Sequence, residues 1–268
     1  MKMKKIFNYC RALPKNEWKA LRKDISVPEY LLWWQVRIMM LYALGMTAKT
    51  YAQTGERFDI LIQLIANAVA AFAVPLLRFI FPKQIFLGRV PYTAQRYGMI
   101  IILIGSYMGH YHGFCGRPGY DSFLHVLSGF LCVFICYDIV IKGMQTEEKP
   151  VSGFIASVIG FGMGCFVIIL WEIFEFTYDY FVGTNLQDFL FNPAEDYIVF
   201  RVFGKPKMTE QIPVFDTMTD MILALLASVP AAGILWAHTA YKQKKKNQNL
   251  ATDFSATPKP ELQEAMKK

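Results

Sequence analysis

The sequence predicts an all-α fold, a polytopic membrane bundle of six transmembrane helices with both termini in the cytoplasm. Three observations carry that expectation. Hydrophobic residues make up 54% of the 268 and charged residues only 18%, a composition too apolar for an ordinary soluble domain. Six apolar stretches approach the roughly 20 residues that a helix needs to cross about 30 Å of hydrocarbon. Finally, 21 of the 28 Lys and Arg residues fall in the N-terminal segment, the second-to-third and fourth-to-fifth connections and the C-terminal tail, against 6 in the opposite connections. Cytoplasmic loops carry such an excess, which fixes the expected orientation.

Residues 1–29 combine lysines and arginines with Trp18, Leu21 and Ile25, a pattern suited to a short amphipathic helix on the inner membrane surface. No small-residue cleavage site follows the first apolar stretch, so a cleaved signal peptide is not expected. The membrane domain, 30–241, places spans at Tyr30 to Ala48, Phe58 to Phe81, Thr93 to Tyr111, Asp121 to Ile141, Ser152 to Phe176 and Thr217 to Thr239. Within the fifth, Gly153, Ser157, Gly160 and Gly164 recur three or four apart and form a close-packing face for a neighbour, most economically the fourth span at Ser128 and Gly129. The connection 177–216 is far longer than usual and rich in aromatic and β-branched residues, so it is expected to fold over the outer face. The segment 242–268 begins with KQKKK and continues polar, which reads as a disordered tail whose basic run meets anionic lipid.

The net charge of +7 is accounted for by topology, so nucleic acid is not an expected partner; the lipid bilayer is. Oligomeric state is left open. Of five cysteines, only Cys115 falls on the outer side, which excludes an intramolecular external disulfide. Cys132, Cys136 and Cys165 lie in spans as small apolar residues.

Ionisable side chains gather at the outer end of three spans. Asp121 and His125 are four apart, Asp216 and Asp220 repeat that spacing, and Glu172, Glu175 and Asp179 follow at three and four, so each set shares a helix face. Charge within hydrocarbon is costly, and a cluster of it is a functional-site hypothesis. Asp121 and Asp216 also stand where an Asp caps a helix N-terminus. The glutamates approach a helix C-terminus, where the macrodipole disfavours them, so a proton, an imidazolium or a metal cation must offset them. His110 and His112 close the third span but point in different directions, so at most one joins a shared site. His238, on the opposite face, is expected to be structural. Arg37 and Asp138, in the cytoplasmic half, are expected to pair with each other.

The segments YDSFLHVLSGF, WEIFEF and FDTMTDMILALL, in that order, resemble the YjdF-type multi-pass bacterial inner-membrane proteins, a family without an established activity. The Asp and His at one helix start, the Glu on the next and the Asp-rich start of the last resemble, more distantly, the VanZ-like proteins associated with glycopeptide resistance. The resemblance covers about Tyr92 to Ala240. It implies a bacterial inner-membrane location and places Asp121, His125, Glu172, Glu175, Asp216 and Asp220 at the family's polar positions. Thr219 stands where an aromatic is expected, and the loop before Asp216 is long for the family.

Three functions fit these residues. In the first, His125 with Asp121, Glu172, Asp216 and Asp220 holds a divalent metal, Mg, Mn or Zn, and His125 and Glu175 are the catalytic pair, Glu175 acting as general base in hydrolysis or transfer on a lipid-linked or envelope substrate. In the second, the same carboxylates move protons or cations in a transporter, although the cluster lies near one surface and no inverted repeat is visible. In the third, the polar network locks helices together without chemistry, in a scaffold.

Overall fold

A computed structural model describes residues 17–81, 86–117, 119–144, 151–183, 186 and 212–256. Among them all regular structure is helical. A helix at 17–24, α1, is followed by α2 (Val27–Thr54), α3 (Phe58–Ala70), α4 (Ala73–Ile80), a 3-10 turn (Phe86–Arg89), α5 (Tyr92–Ile101), a π-helix (Ile102–Tyr111), α6 (Tyr120–Met144), α7 (Gly153–Val182) and α8 (Ile212–Ala256). Local signals set several of these ends. The Ser26 hydroxyl accepts from the Glu29 N–H at the start of α2 and Gly55 closes it in the left-handed conformation, with φ 74. Ser152 and Gly183 do the same for α7.

Three of these helices, α6, α7 and α8, are long and apolar enough to cross a membrane, and a fourth candidate is the pair α3 and α4, bent by 56°. The other two expected spans differ in character. At 28 residues α2 is long enough, but its composition is more polar. The stretch Tyr92–Tyr111 changes helical type halfway, into the wider π form.

The bend was not expected; the run from Phe58 to Phe81 reads as one span. Its cause is Pro75, which has no N–H for the carbonyl four residues earlier and crowds it. That carbonyl, Ala71 O, instead accepts from Arg37 Nε at 3.0 Å. Gln95 bridges the rest of the break, its amide donating to Ala70 O at 3.2 Å and its oxygen accepting from the Val74 N–H at 3.1 Å. Broken helices persist in hydrocarbon only where side chains satisfy the freed backbone in this way. The expected pair of Arg37 with Asp138 is therefore not formed. Arg37 is buried with its guanidinium over Phe72, 4.5 Å from the ring centroid, and over Trp34 at 5.3 Å, and cation–π contact supplies much of what a carboxylate would have.

Packing divides into two cores. Trp33, Met40, Leu64, Val90 and Ile102 belong to one, built from α1 to α5 and the π-helix; Val133, Ala231 and Leu235 belong to the other, between α6 and α8. Helix α6 packs against α5, α7 and α8. The small-residue face of α7 does meet α6, but at Val133 and Tyr137: a Cβ on Gly160 would lie 3.0 Å from the Tyr137 N. Gly129 faces α8, where a Cβ would overlap the backbone of Ala224, and the Ser228 hydroxyl lies 3.0 Å from Gly129 O. At the other end, α1 buries Leu21, Ile25 is buried just past its last turn, and Glu17 accepts from Arg78 at 2.6 Å and from Tyr92 at 2.9 Å.

Helix α8 begins at Ile212 and runs beyond Thr239 through the basic residues Lys242, Lys244 and Lys245. Of the long connection 177–216, residues 177–182 continue α7 and 212–216 open α8; apart from Leu186, the stretch 184–211 lies outside the described residues, as do 1–16 and 257–268.

Candidate functional site

Helix α6 carries the centre of the site, because its start at Tyr120 puts Asp121 in the first turn and His125 one turn deeper on the same face. His125 is 7% exposed. Its Nε2 lies 3.7 Å from Asp121 Oδ1 and 3.6 Å from Asp220 Oδ2, and its Nδ1 lies 3.7 Å from Glu172 Oε1. Three helices thus bring three carboxylates to one imidazole, as the sequence spacing predicts. Asp121, His125 and Asp220 each offer a ligand atom within 4.8 Å of the others. Asp121 forms the open side, with a side chain 53% exposed, whereas Asp220 and Glu172 are 3% and 4% exposed.

These separations lie beyond ordinary hydrogen-bond range, about 2.7–3.2 Å. Two ligands held at about 2.1 Å by one tetrahedral ion are themselves about 3.4 Å apart, much closer to the spacing observed. Both oxygens of Glu172 are buried without a hydrogen-bond partner; Thr217 comes near without meeting hydrogen-bond geometry. Among the described residues no lysine or arginine forms an ion pair with Asp121, Glu172, Glu175 or Asp220. Carboxylates buried so close together are costly as anions unless a proton or a shared cation offsets their charge.

Glu175 lies one turn from Glu172 and accepts from Trp171 Nε1 at 2.8 Å. It lines a cavity of about 450 Å³ that also reaches His110, Asp121 and His125. His110 joins this space because the π-helix is wide enough to turn it inward, and such segments recur at functional sites. His112 instead packs against Tyr107 and Tyr111. Asp216 is four residues inside α8 rather than at its N-cap, and it stands outside the close Asp121–His125–Asp220 group. Asp179 turns to the helix end, where it accepts from the Leu186 N–H at 2.8 Å. The sequence reading missed Trp171 and the cavity. A signal for Trp171 exists in its place four residues before Glu175, on the same face.

Helices of this length and apolarity, closing around a buried Asp–His–Asp cluster, define an integral membrane protein in contact with the lipid bilayer. The model of DUF2238, described as a predicted membrane protein family, matches residues 19–241, and the chain belongs to that family. YjdF-type proteins are members of it. No curated protein and no solved structure matches the chain.

Proposed function

We propose that the chain is a metal-dependent enzyme of the membrane, holding one divalent cation, Mg, Mn or Zn, at Asp121, His125 and Asp220. The observation that carries this reading is the placement of His125, whose Nε2 faces two carboxylates at co-ligand spacing while its Nδ1 faces a third. A histidine that binds metal through one nitrogen characteristically turns the other toward a carboxylate. Glu172 takes that orienting place rather than a ligand place, and Asp216, one turn from Asp220, supports the site from outside. Three protein ligands leave a position for water, which a bound cation makes a nucleophile at neutral pH. Glu175, held by Trp171 beside the cavity, is the general base, and His125 is the residue on which the site is organised.

The charge distribution supports six spans with both termini cytoplasmic, with α2 and the Tyr92–Tyr111 stretch as the first and third. That orientation puts the site toward the outer face, where a lipid-linked or envelope precursor is the substrate, in a bacterial inner membrane as the likeness to YjdF-type and VanZ-like proteins suggests. Residues 1–29 then lie at the inner membrane surface, 30–241 form the membrane domain, and the basic start of 242–268 meets anionic lipid. A transporter needs a polar path inward, and Arg37, engaged with Ala71 O and three aromatic rings, does not continue one to Asp138.

Thermal unfolding in detergent tests the reading. Zinc or manganese at about a hundred times its dissociation constant stabilises by about 2.7 kcal/mol, and a chelator reverses the shift. Unfolding indifferent to both metal and chelator contradicts it.

A further inference from the structure

The cavity beside the site extends well past the residues that the proposed chemistry uses. Its floor is a single stripe of α6, Leu124, Ser128, Cys132 and Ile135, which runs about 16 Å along the helix at 1.5 Å per residue. One wall is the junction of α5 with the π-helix, at Ile102 and Gly105, another is α7, at Ile168 and Trp171, and α3 also lines the space, at Asn67 and Ala70. Its rim on α7 includes Val167 and Leu170, which are 44% and 47% exposed on the outer surface of the bundle. That surface faces hydrocarbon in a spanning helix, so the cleft opens sideways into the bilayer.

Chemistry changes along its length. Apolar side chains dominate the lining, interrupted by Asn67, Ser106 and Ser128, whereas the ionisable groups His110, Asp121, His125 and Glu175 gather toward the His125 end. The volume, about 450 Å³, falls within the range of sites for small molecules, about 300–1,000 Å³. Glycine keeps the wall shallow: a Cβ on Gly105 would meet only Leu124 Cδ2, at 3.8 Å, so space for a side chain is left open there. A greasy slot that joins the bilayer at its side and ends on a polar cluster matches an amphiphile, one hydrocarbon chain with one small head.

We propose that this cleft binds the hydrocarbon chain of a single-chain lipid phosphate, its head at the His125 end and its tail along α6 toward Ile135. The head-group assignment rests on the metal reading above. The surrounding carboxylates would repel a bare phosphate, and a cation held by Asp121, His125 and Asp220 would supply the positive charge that offsets them.

Photolabelling of the full-length protein in nanodiscs tests this. The probe is hexadecyl phosphate carrying a diazirine near the chain end, applied with manganese or zinc, and the labelled peptides are read by mass spectrometry while metal content is measured separately. The expected labels fall on 98–105 and 124–135. In Gly105→Leu, and independently in Ser128→Leu, they drop about tenfold, the loss expected for some 1.4 kcal/mol of binding, with metal content unchanged. Labels spread over the outward faces of α7 and α8, equally in wild type and both variants, overturn the chain slot even if the ion is bound. Cleft labelling that is the same with and without chelator overturns the cation's part in binding the phosphate.

Discussion

His125 presents each ring nitrogen to a different partner set, Asp121 and Asp220 near Nε2 and Glu172 near Nδ1. In the metal reading proposed above, the first set would share the cation and Glu172 would orient the ring. Glu172→Gln keeps the shape but removes the charge, so metal affinity falls about 10- to 100-fold, the usual cost of losing such a partner; a metal titration in detergent reads it. His125→Ala abolishes binding in the same titration. Beside the site, burial pushes the Cys115 thiol up to about 12, with the charges of Asp121 and Glu175 adding to it. The thiol therefore stays protonated across neutral pH, and its maleimide rate keeps climbing with pH above about 8.5, where a free thiol levels off. A plateau near that value, read on the Cys115 peptide, contradicts this. The sequence disclosed the helical faces on which His125, Glu172 and Asp220 stand, because spacings of three and four specify a face. It did not disclose which carboxylate meets which ring nitrogen, which depends on ring orientation and on helix rotation.

At the scale of elements, the break between α3 and α4 is where side chains of α2 and α5 converge. Gln95 both donates to Ala70 O and accepts from the Val74 N–H, so Gln95→Leu strands two backbone groups at once. Each costs about 1–3 kcal/mol, and a lowered thermal midpoint with the metal content unchanged is the expected result. Gly160 lies against the backbone of Tyr137, and Gly160→Leu separates α7 from α6, at a cost of about 1–3 kcal/mol for overpacking, which the same unfolding measurement reads. The glycine face of α7 was legible as a packing surface, since small residues at helical spacing have one obvious use. The partner helix, α6, is the expected one, but it meets Gly160 and Gly164 at Tyr137 and Val133, because Gly129 turns toward α8 instead. Arg37 went astray for a physical reason: a sequence displays the charges that could pair, but not the carbonyl that a proline leaves without its N–H.

For the molecule as a whole, the apolar runs made the helical membrane class plain, and the charge excess on alternate connections gives the orientation a test. Cysteines introduced at Glu56→Cys and Gly116→Cys react with a membrane-impermeant maleimide added outside intact cells, whereas Lys244→Cys reacts only after lysis. Reaction at Lys244→Cys in intact cells reverses the topology. The cavity was not legible, because it lies among α3, α5, the π-helix, α6 and α7, and the periodicity of one helix does not announce a space between several. The metal reading requires that these helices hold one ion. Elemental analysis of purified protein, wild type beside His125→Ala, then returns one divalent ion per chain in the first and none in the second. Wild-type protein that is folded and metal-free after exposure to Mg, Mn and Zn contradicts it.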